Sequence, residues 1–269
     1  MIGAISGDVI GSVHEGAPPK AKNFPLFVPG SRFTDDTVLT IAVASAIREG
    51  TEFGTTIRRW GRRYPDAGYG GRFRAWLFRE DAAPYNSFGN GSAMRVSAVG
   101  WAFDDLDVVL RKAAETAEVT HNHPEGIKGA QAVAAAVLLA RKGQTKDQIA
   151  ALMSQRFGYD CTIDLGVLQR QAKFDVTCQG TVPAAAVAFL RSTDFEDAVR
   201  NAVSFGGDAD TLACIAGAMA EAHYGNVPAE IRVEVLRRLD DSLRAEVVAF
   251  ASQYGIPLSD GLDADDVGR

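Results

Sequence analysis

Two short acidic segments, Thr34-Asp35-Asp36-Thr37 and Gly206-Gly207-Asp208-Ala209-Asp210-Thr211, stand far apart in the chain. Each opens a stretch that then turns apolar and alanine-rich, which puts carboxylates and a hydroxyl in the first turn of a helix. A fold that unites the two helix starts gathers four carboxylates and at least two hydroxyls at one point. Like charges packed that closely need cations between them, and an all-oxygen donor set selects hard divalent ions such as Mg²⁺ or Mn²⁺ over zinc. A two-metal site is therefore the leading expectation. First-turn acids and threonines also cap helices and complement the macrodipole, so either segment alone carries little weight. What joins them is their shared Asp and Thr vocabulary, with a Gly-Gly ahead of the second that lets the backbone come close to an ion or ligand.

Helical patterns dominate the rest of the chain. Ile2, Ile5, Val9, Ile10 and Val13 recur at helical spacing, while Gly3, Gly7 and Gly11 step four residues apart and form a smooth second face, read as a tightly packed central helix. Pro18, Pro19, Pro25 and Pro29 break the pattern before Thr34. Helices are expected over 38–47, 104–119, 126–139, 144–157, 183–190, 194–203, 211–223 and 228–250. Short connections between them imply a compact all-α bundle. The arginine-, aromatic- and glycine-rich stretch 52–92 reads as a solvated surface or pocket rim, because a chain of net charge −6 has no electrostatic footprint for nucleic acid.

Composition narrows the class. With 46% hydrophobic and 23% charged residues over 269 positions, the chain is globular and long enough to bury a sizeable core. Cys161, Cys178 and Cys214 are few and scattered, which indicates neither a disulfide framework nor a zinc site and suits a reducing cytoplasm. The first residues lack a basic region, and Asp8, His14 and Glu15 interrupt their apolar run, so neither a signal peptide nor a membrane span is expected. Nothing demands two domains: residues 1–258 read as one, and 259–269 as an acidic, mobile tail.

Three further segments bear on chemistry. Ser87-Phe88-Gly89-Asn90-Gly91-Ser92-Ala93-Met94-Arg95 sets glycines around Asn90 before a helical run, as a tight turn or as an anion nest of backbone N–H groups. Thr120-His121-Asn122-His123-Pro124-Glu125 gathers two of the four histidines at a spacing unsuited to a His-x-x-x-His metal pair. Glu15 ends the glycine-faced helix where a loop begins, a place for a mobile acid.

Gly3-Ala4-Ile5-Ser6-Gly7-Asp8-Val9-Ile10-Gly11 with Glu15, then Phe33-Thr34-Asp35-Asp36-Thr37, then residues 89–95, then Thr120-His121, then residues 206–211 occur in one order. Together they make the chain resemble the ADP-ribosylglycohydrolases, a family that includes ADP-ribosylarginine hydrolases, dinitrogenase-reductase-activating glycohydrolases and ADP-ribosylserine hydrolases. The resemblance implies an orthogonal all-α bundle with two Mg²⁺ or Mn²⁺ ions in a cleft that receives ADP-ribose. By motif position it assigns Thr34, Asp35, Asp36, Asp208, Asp210 and Thr211 to the metals. Asn90, Gly91, Ser92, Ala93, Met94, His121, Gly206 and Gly207 fall to ADP-ribose, and Glu15 to a mobile acid near the metals.

The activity implied is metal-dependent cleavage of the bond between ADP-ribose and an acceptor, through an oxocarbenium-like species. An ADP-ribosylated protein is the expected substrate, with arginine the favoured linkage and ADP-ribose the product; no nucleic-acid or membrane partner is expected, and a monomer is favoured. Asp35, Asp36 and Glu15 are the catalytic candidates, any of which could serve as base toward water. The alternatives are a non-catalytic ADP-ribose reader, which the presence of all six ligand residues argues against, and a hydrolase of another ADP-ribose derivative or phosphorylated nucleoside.

Overall fold

The computed structural model describes residues 1–258 apart from 18, 20, 21 and 172, and the tail assigned to 259–269 lies outside the described residues. The architecture is all-α, with no strand among the described residues and one isolated antiparallel bridge between Gly89 and Thr177. In chain order the helices are α1 (Ile2–Gly11), α2 (Asp35–Glu49), α3 (Phe53–Arg63), α4 (Gly71–Phe78), α5 (Gly91–Met94), α6 (Ser97–Ala102), α7 (Leu106–Glu118) and α8 (Pro124–Arg141). They continue as α9 (Lys146–Phe157), α10 (Leu165–Arg170), α11 (Cys178–Leu190), α12 (Phe195–Ser204), α13 (Ala209–Tyr224), α14 (Ala229–Arg238) and α15 (Asp241–Gln253). No helix is long and apolar enough to cross a membrane.

The centre of the bundle is the pair α1 and α13, the most extensive helix contact in the molecule. The glycine face makes it possible. A methyl group at Gly3 would overlap the Gly217 carbonyl, one at Gly7 would overlap the Ala213 carbonyl, and one at Gly11 would lie 2.5 Å from the Asp210 Cα. The two backbones therefore touch along their length, and every residue of α1 is buried. Alanines of α8, α11, α12 and α13 fill the core around this pair.

Two expectations need correction. The helix expected over 228–250 is two, because Asp240 accepts hydrogen bonds from Ser242 N and Leu243 N and caps a new start at α15. The first helix stops at Gly11, so Glu15 sits in the turn beyond it and does not end it. Helices α3 and α4 occupy the arginine-rich stretch, where arginines act as staples: Arg58 donates to the carbonyls of Trp76, Arg79 and Ala82, and Arg62 to that of Leu77. These groups satisfy the carbonyls at the end of α4 that have no partner within the helix.

Candidate active site

Asp8 lies in the middle of α1 and is fully buried. Its Oδ1 accepts the Thr34 hydroxyl at 2.7 Å, and its Oδ2 accepts Thr34 N at 2.9 Å, Thr37 N at 3.1 Å and the Thr37 hydroxyl. One carboxylate thus ties α1 to the first turn of α2. Close packing of α1 on α13 then brings in the second acidic segment. Asp8, Asp36 and Asp210 form a group in which one oxygen from each lies within 4.8 Å of the others, and Glu15, Asp208 and Asp210 form a second. Asp210 belongs to both.

Burial dominates the electrostatics. It lifts the Asp8 carboxyl to about 7, with Asp210 adding to the effect, and the Asp35 carboxyl to about 8, with Asp8 and Asp210 adding. Asp36 and Asp210 are driven well above the usual carboxylate range by burial and then by a neighbouring aspartate, Asp210 in the first case and Asp208 in the second. Asp208 is raised by burial, while a hydrogen bond from Asn90 Nδ2 at 2.6 Å opposes the rise. No cation figures among the leading influences on any of these carboxylates. Asp36 Oδ1 is buried with no hydrogen-bond partner among the described residues. An all-oxygen donor set of this density, with an unpartnered carboxylate oxygen inside it, fits hard divalent cations.

All of these acids but Asp8 line a cleft of about 510 Å³. Thr34, Asp35, Asp36, Asp208, Asp210, Thr211 and Glu15 all line it. Thr211 Oγ1 donates to Asp36 Oδ2 at 3.3 Å, which joins the two acidic segments directly. Asp35 is in neither three-acid group, and its carboxylate faces Gly68, where an added Cβ would lie 3.3 Å from Oδ1. Glu15 is solvent-exposed; its neighbour Gly16 donates from N to the Gly207 carbonyl at 3.0 Å, which holds the turn over α13.

Of the residues assigned to ADP-ribose, Asn90, Gly91, Met94 and His121 line the cleft. Ser92, Ala93, Gly206 and Gly207 do not. Ser92 turns its hydroxyl to the Gly126 carbonyl at 2.7 Å, and Ala93 is core. Gly206 and Gly207 take φ of 70° and 68°, and a Cβ at Gly207 would meet the Lys173 carbonyl at 2.7 Å, so this pair shapes the turn into Asp208. The nest at Asn90 is partly closed: Asn90 N donates to Val176 O, and the N–H groups of Ala93 and Met94 donate to the Asn90 carbonyl.

Sequence reasoning missed Asp8, which reads there as a break in an apolar run; it is the one charged residue within α1, and that isolation was the available signal. Arg72, Phe73 and Tyr85, within the stretch read as a solvated surface or pocket rim, line the cleft, and sequence reasoning gave no role there to Phe174 and Val176, which line it too. Phe174 and Val176 stand exposed on the rim, and the Arg72 guanidinium carbon lies 4.9 Å from the Tyr85 ring centre.

The ADP-ribosylglycohydrolase family model matches residues 1–258. ADP-ribosylhydrolase ARH3 of Mus musculus is 26% identical over 310 residues, covering 84% of this chain and 82% of the relative. ADP-ribosylarginine hydrolase Tri1 of Pseudomonas putida (strain GB-1) is 25% identical over 258 residues, covering 84% of this chain and 69% of the relative. A solved structure described as an ADP-ribosylglycohydrolase-related protein complex superimposes with a TM-score of 0.71 at 26% identity, covering 94% of this chain and 97% of that one.

Proposed function

Because the chain belongs to the ADP-ribosylglycohydrolase family, we propose that it is a divalent-cation-dependent hydrolase that releases ADP-ribose from an ADP-ribosylated protein side chain. The observation that carries this reading is the convergence of Asp36, Asp208, Asp210 and Glu15, with Asp8 behind them, in a cleft that is also lined by Arg72, Asn90, Arg95 and His121. An acid end suits cations, and a donor-rich wall suits the diphosphate of a dinucleotide-like ligand.

Asp8, Asp36, Asp208, Asp210, Thr34 and Thr211 would hold two Mg²⁺ or Mn²⁺ ions. When bound, those ions supply Lewis acidity toward the distal ribose hydroxyls and toward water. The chain's own residues do the rest. Asp36 and Asp210 are committed to the cluster, whereas Asp35 stands outside both three-acid groups and would serve as base toward water once bound cations hold ionised a carboxyl that burial alone lifts to about 8. Glu15, exposed and within reach of Asp208 and Asp210, is the competing base and the group that would close over the ribose. Asn90 and Gly91 line the path of the diphosphate, with Ser92 and Ala93 supporting that turn from behind. Gly206 and Gly207 support the acid end in the same way.

Arginine is the favoured acceptor. Glu15, Asp35 and Asp66 line the cleft beside Arg32, and this negative rim suits a guanidinium leaving group. The name of the Pseudomonas putida relative points the same way. Residues 1–258 act as one unit in this reading, in a reducing compartment that keeps Cys161, Cys178 and Cys214 as free thiols.

The test is incubation with proteins ADP-ribosylated on arginine or on serine, with and without Mg²⁺, following free ADP-ribose. Release from the arginine linkage in Mg²⁺ alone is expected. Release from serine alone would move the acceptor assignment, and tight ADP-ribose binding with no release from either would make the protein a reader.

A further inference from the structure

Arg95 is the largest fully buried side chain in the molecule. Its Nη2 donates to the Thr116 carbonyl at 2.7 Å and to the Thr120 hydroxyl at 3.0 Å. The same hydroxyl oxygen lies 2.7 Å from Nδ1 of His121, whose ring lines the cleft. We propose that Arg95 and Thr120 lock His121 in the Nε2–H tautomer, so that the imidazole presents a hydrogen-bond donor to an anionic ligand beside residues 90–91.

The argument is one of proton count. An arginine only donates, so Thr120 Oγ1 accepts from Arg95. Two arrangements then remain for the contact with His121. If Nδ1 carried the proton and donated to Oγ1, the hydroxyl proton of Thr120 would need another acceptor. Thr120 is fully buried, and its hydroxyl oxygen meets Arg95 Nη2 and His121 Nδ1 and no third hydrogen-bonding group among the described residues. That proton would be stranded, an arrangement buried hydroxyls avoid. If instead the hydroxyl donates to a bare Nδ1, the Thr120 hydroxyl and His121 Nδ1 are both satisfied, and the choice leaves Arg95 Nε and Nη1, which are buried with no hydrogen-bond partner among the described residues, unaffected. The guanidinium also polarises the hydroxyl and makes it a better donor.

The doubly protonated ring fails for the same reason, since it too needs a proton on Nδ1. Burial disfavours it further, and the charges of Arg95 and Arg72 add to that effect, holding the imidazole neutral. Tyr85, 6.0 Å away between ring centres, is the other titratable group against the ring, and burial keeps its phenol protonated.

Nε2 therefore carries the proton, and its position is defined. A Cβ at Gly91 would lie 3.2 Å from Nε2 and one at Gly89 3.5 Å from it, so the N–H sits against the glycines that flank Asn90. An acceptor at this position would have repelled a phosphate oxygen; a donor binds it. Arg95 acts through Thr120 and is a positioning residue. The identity of the anion as the diphosphate of ADP-ribose rests on the function proposed above.

The test is a long-range ¹H–¹⁵N correlation spectrum of the full chain labelled at histidine. The chain has four histidines, and the His121 signals are those lost in His121→Gln. The wild type should show a pyridine-type Nδ1 and a pyrrole-type Nε2. Thr120→Ser should keep that pattern, and Thr120→Val should lose it and bind ADP-ribose about tenfold more weakly by calorimetry, the worth of one hydrogen bond. An Nδ1–H pattern in the wild type would overturn the proposal, and so would a Thr120→Val protein that keeps the Nε2–H pattern. The spectrum needs no ligand and no turnover, so it decides the tautomer even if the protein acts on no ADP-ribosyl linkage. A wild type that shows the Nε2–H pattern but binds no ADP-ribose would overturn the donor's role and the functional reading, leaving the tautomer.

Discussion

At the acid end of the site, Asp8, Asp36, Asp208 and Asp210 are buried against one another, and Asp36 keeps an oxygen with no partner among the described residues. Beside Gly89 and Gly91, Arg95 Nη2, Thr120 and His121 form a chain in which each contact has a donor and an acceptor, while Arg95 Nε and Nη1 have no partner among the described residues. The first end is held in place by backbone packing of α1 on α13 and is electrostatically unfavourable by itself. The second is held by its own hydrogen bonds. Rigid packing at the acid end keeps like charges together that would otherwise separate, and that preorganisation is what a cation site requires.

The largest effect expected is on turnover. Asp210 is shared by both three-acid groups, so Asp210→Asn should reduce hydrolysis by roughly 10³-fold, several kcal/mol of transition-state stabilisation. In chelator, however, the same variant should melt higher than the wild type, because it removes a repelling charge. Asn90→Ala should melt lower, since it loses bonds to Thr181 and Asp208. Shifts of the same sign in both variants would break the contrast between the two ends.

Next in size is Gly7→Ala. The added methyl meets the Ala213 carbonyl, a backbone atom that cannot swing away. A loss of about 1–3 kcal/mol in urea unfolding is expected, in the range of overpacked cores, together with weaker Mn²⁺ binding as Asp8 draws away from Asp210. Unchanged Mn²⁺ affinity in a folded Gly7→Ala protein would separate the packing from the site.

The pH response distinguishes the ends by sign. Asp8 and Asp35 have carboxyls lifted from 3.8 to about 7 and about 8, so the folded chain binds protons that the unfolded chain has already released. Their contribution to stability is complete below about 3.8 and is lost as pH rises through 7 to 8. His121 is depressed from 6.5, so its contribution is present above that value and is lost as pH falls. Between 6.5 and 8 the raised carboxylates Asp8, Asp35, Asp36 and Asp210 act against, and outnumber, the Met1 amine, which burial lowers from 8.0 and whose contribution has the opposite sign. In that window the melting temperature of chelated protein should fall with pH, and saturating Mg²⁺ should flatten the slope. A rise with pH in chelator would contradict the burial argument.

A smaller effect is expected at Thr37, whose hydroxyl and backbone N both donate to Asp8. Thr37→Val keeps the backbone bond and removes the hydroxyl, and Mn²⁺ affinity should fall about tenfold, as for outer partners of metal ligands.

The acidic segments were legible because their chemistry is local: Thr34, Asp35, Asp36, Asp208, Asp210 and Thr211 lie within two short runs, each at a helix start. The glycine face of α1 was legible for the same reason, since its period belongs to a single helix. Asp8 was not. Its importance comes from what α1 packs against, and an acid inside an apolar run looks alike whether it faces solvent or a buried cluster. Helices α3 and α4 were hidden because their arginines, read as a solvated surface or pocket rim, fold back on carbonyls some fifteen to twenty-four residues away. The link from Arg95 through Thr120 to His121 joins α5 to the end of α7, and no spacing in the chain encodes it.

The account stands most directly on the convergence of these carboxylates into a cation centre. Calorimetric titration of Mn²⁺ into the chelator-stripped full chain, wild type beside Asp210→Asn, measures it. Two ions per chain are expected in the wild type, with the titration largely abolished in Asp210→Asn. No saturable binding, or binding that Asp210→Asn leaves unchanged, would contradict it.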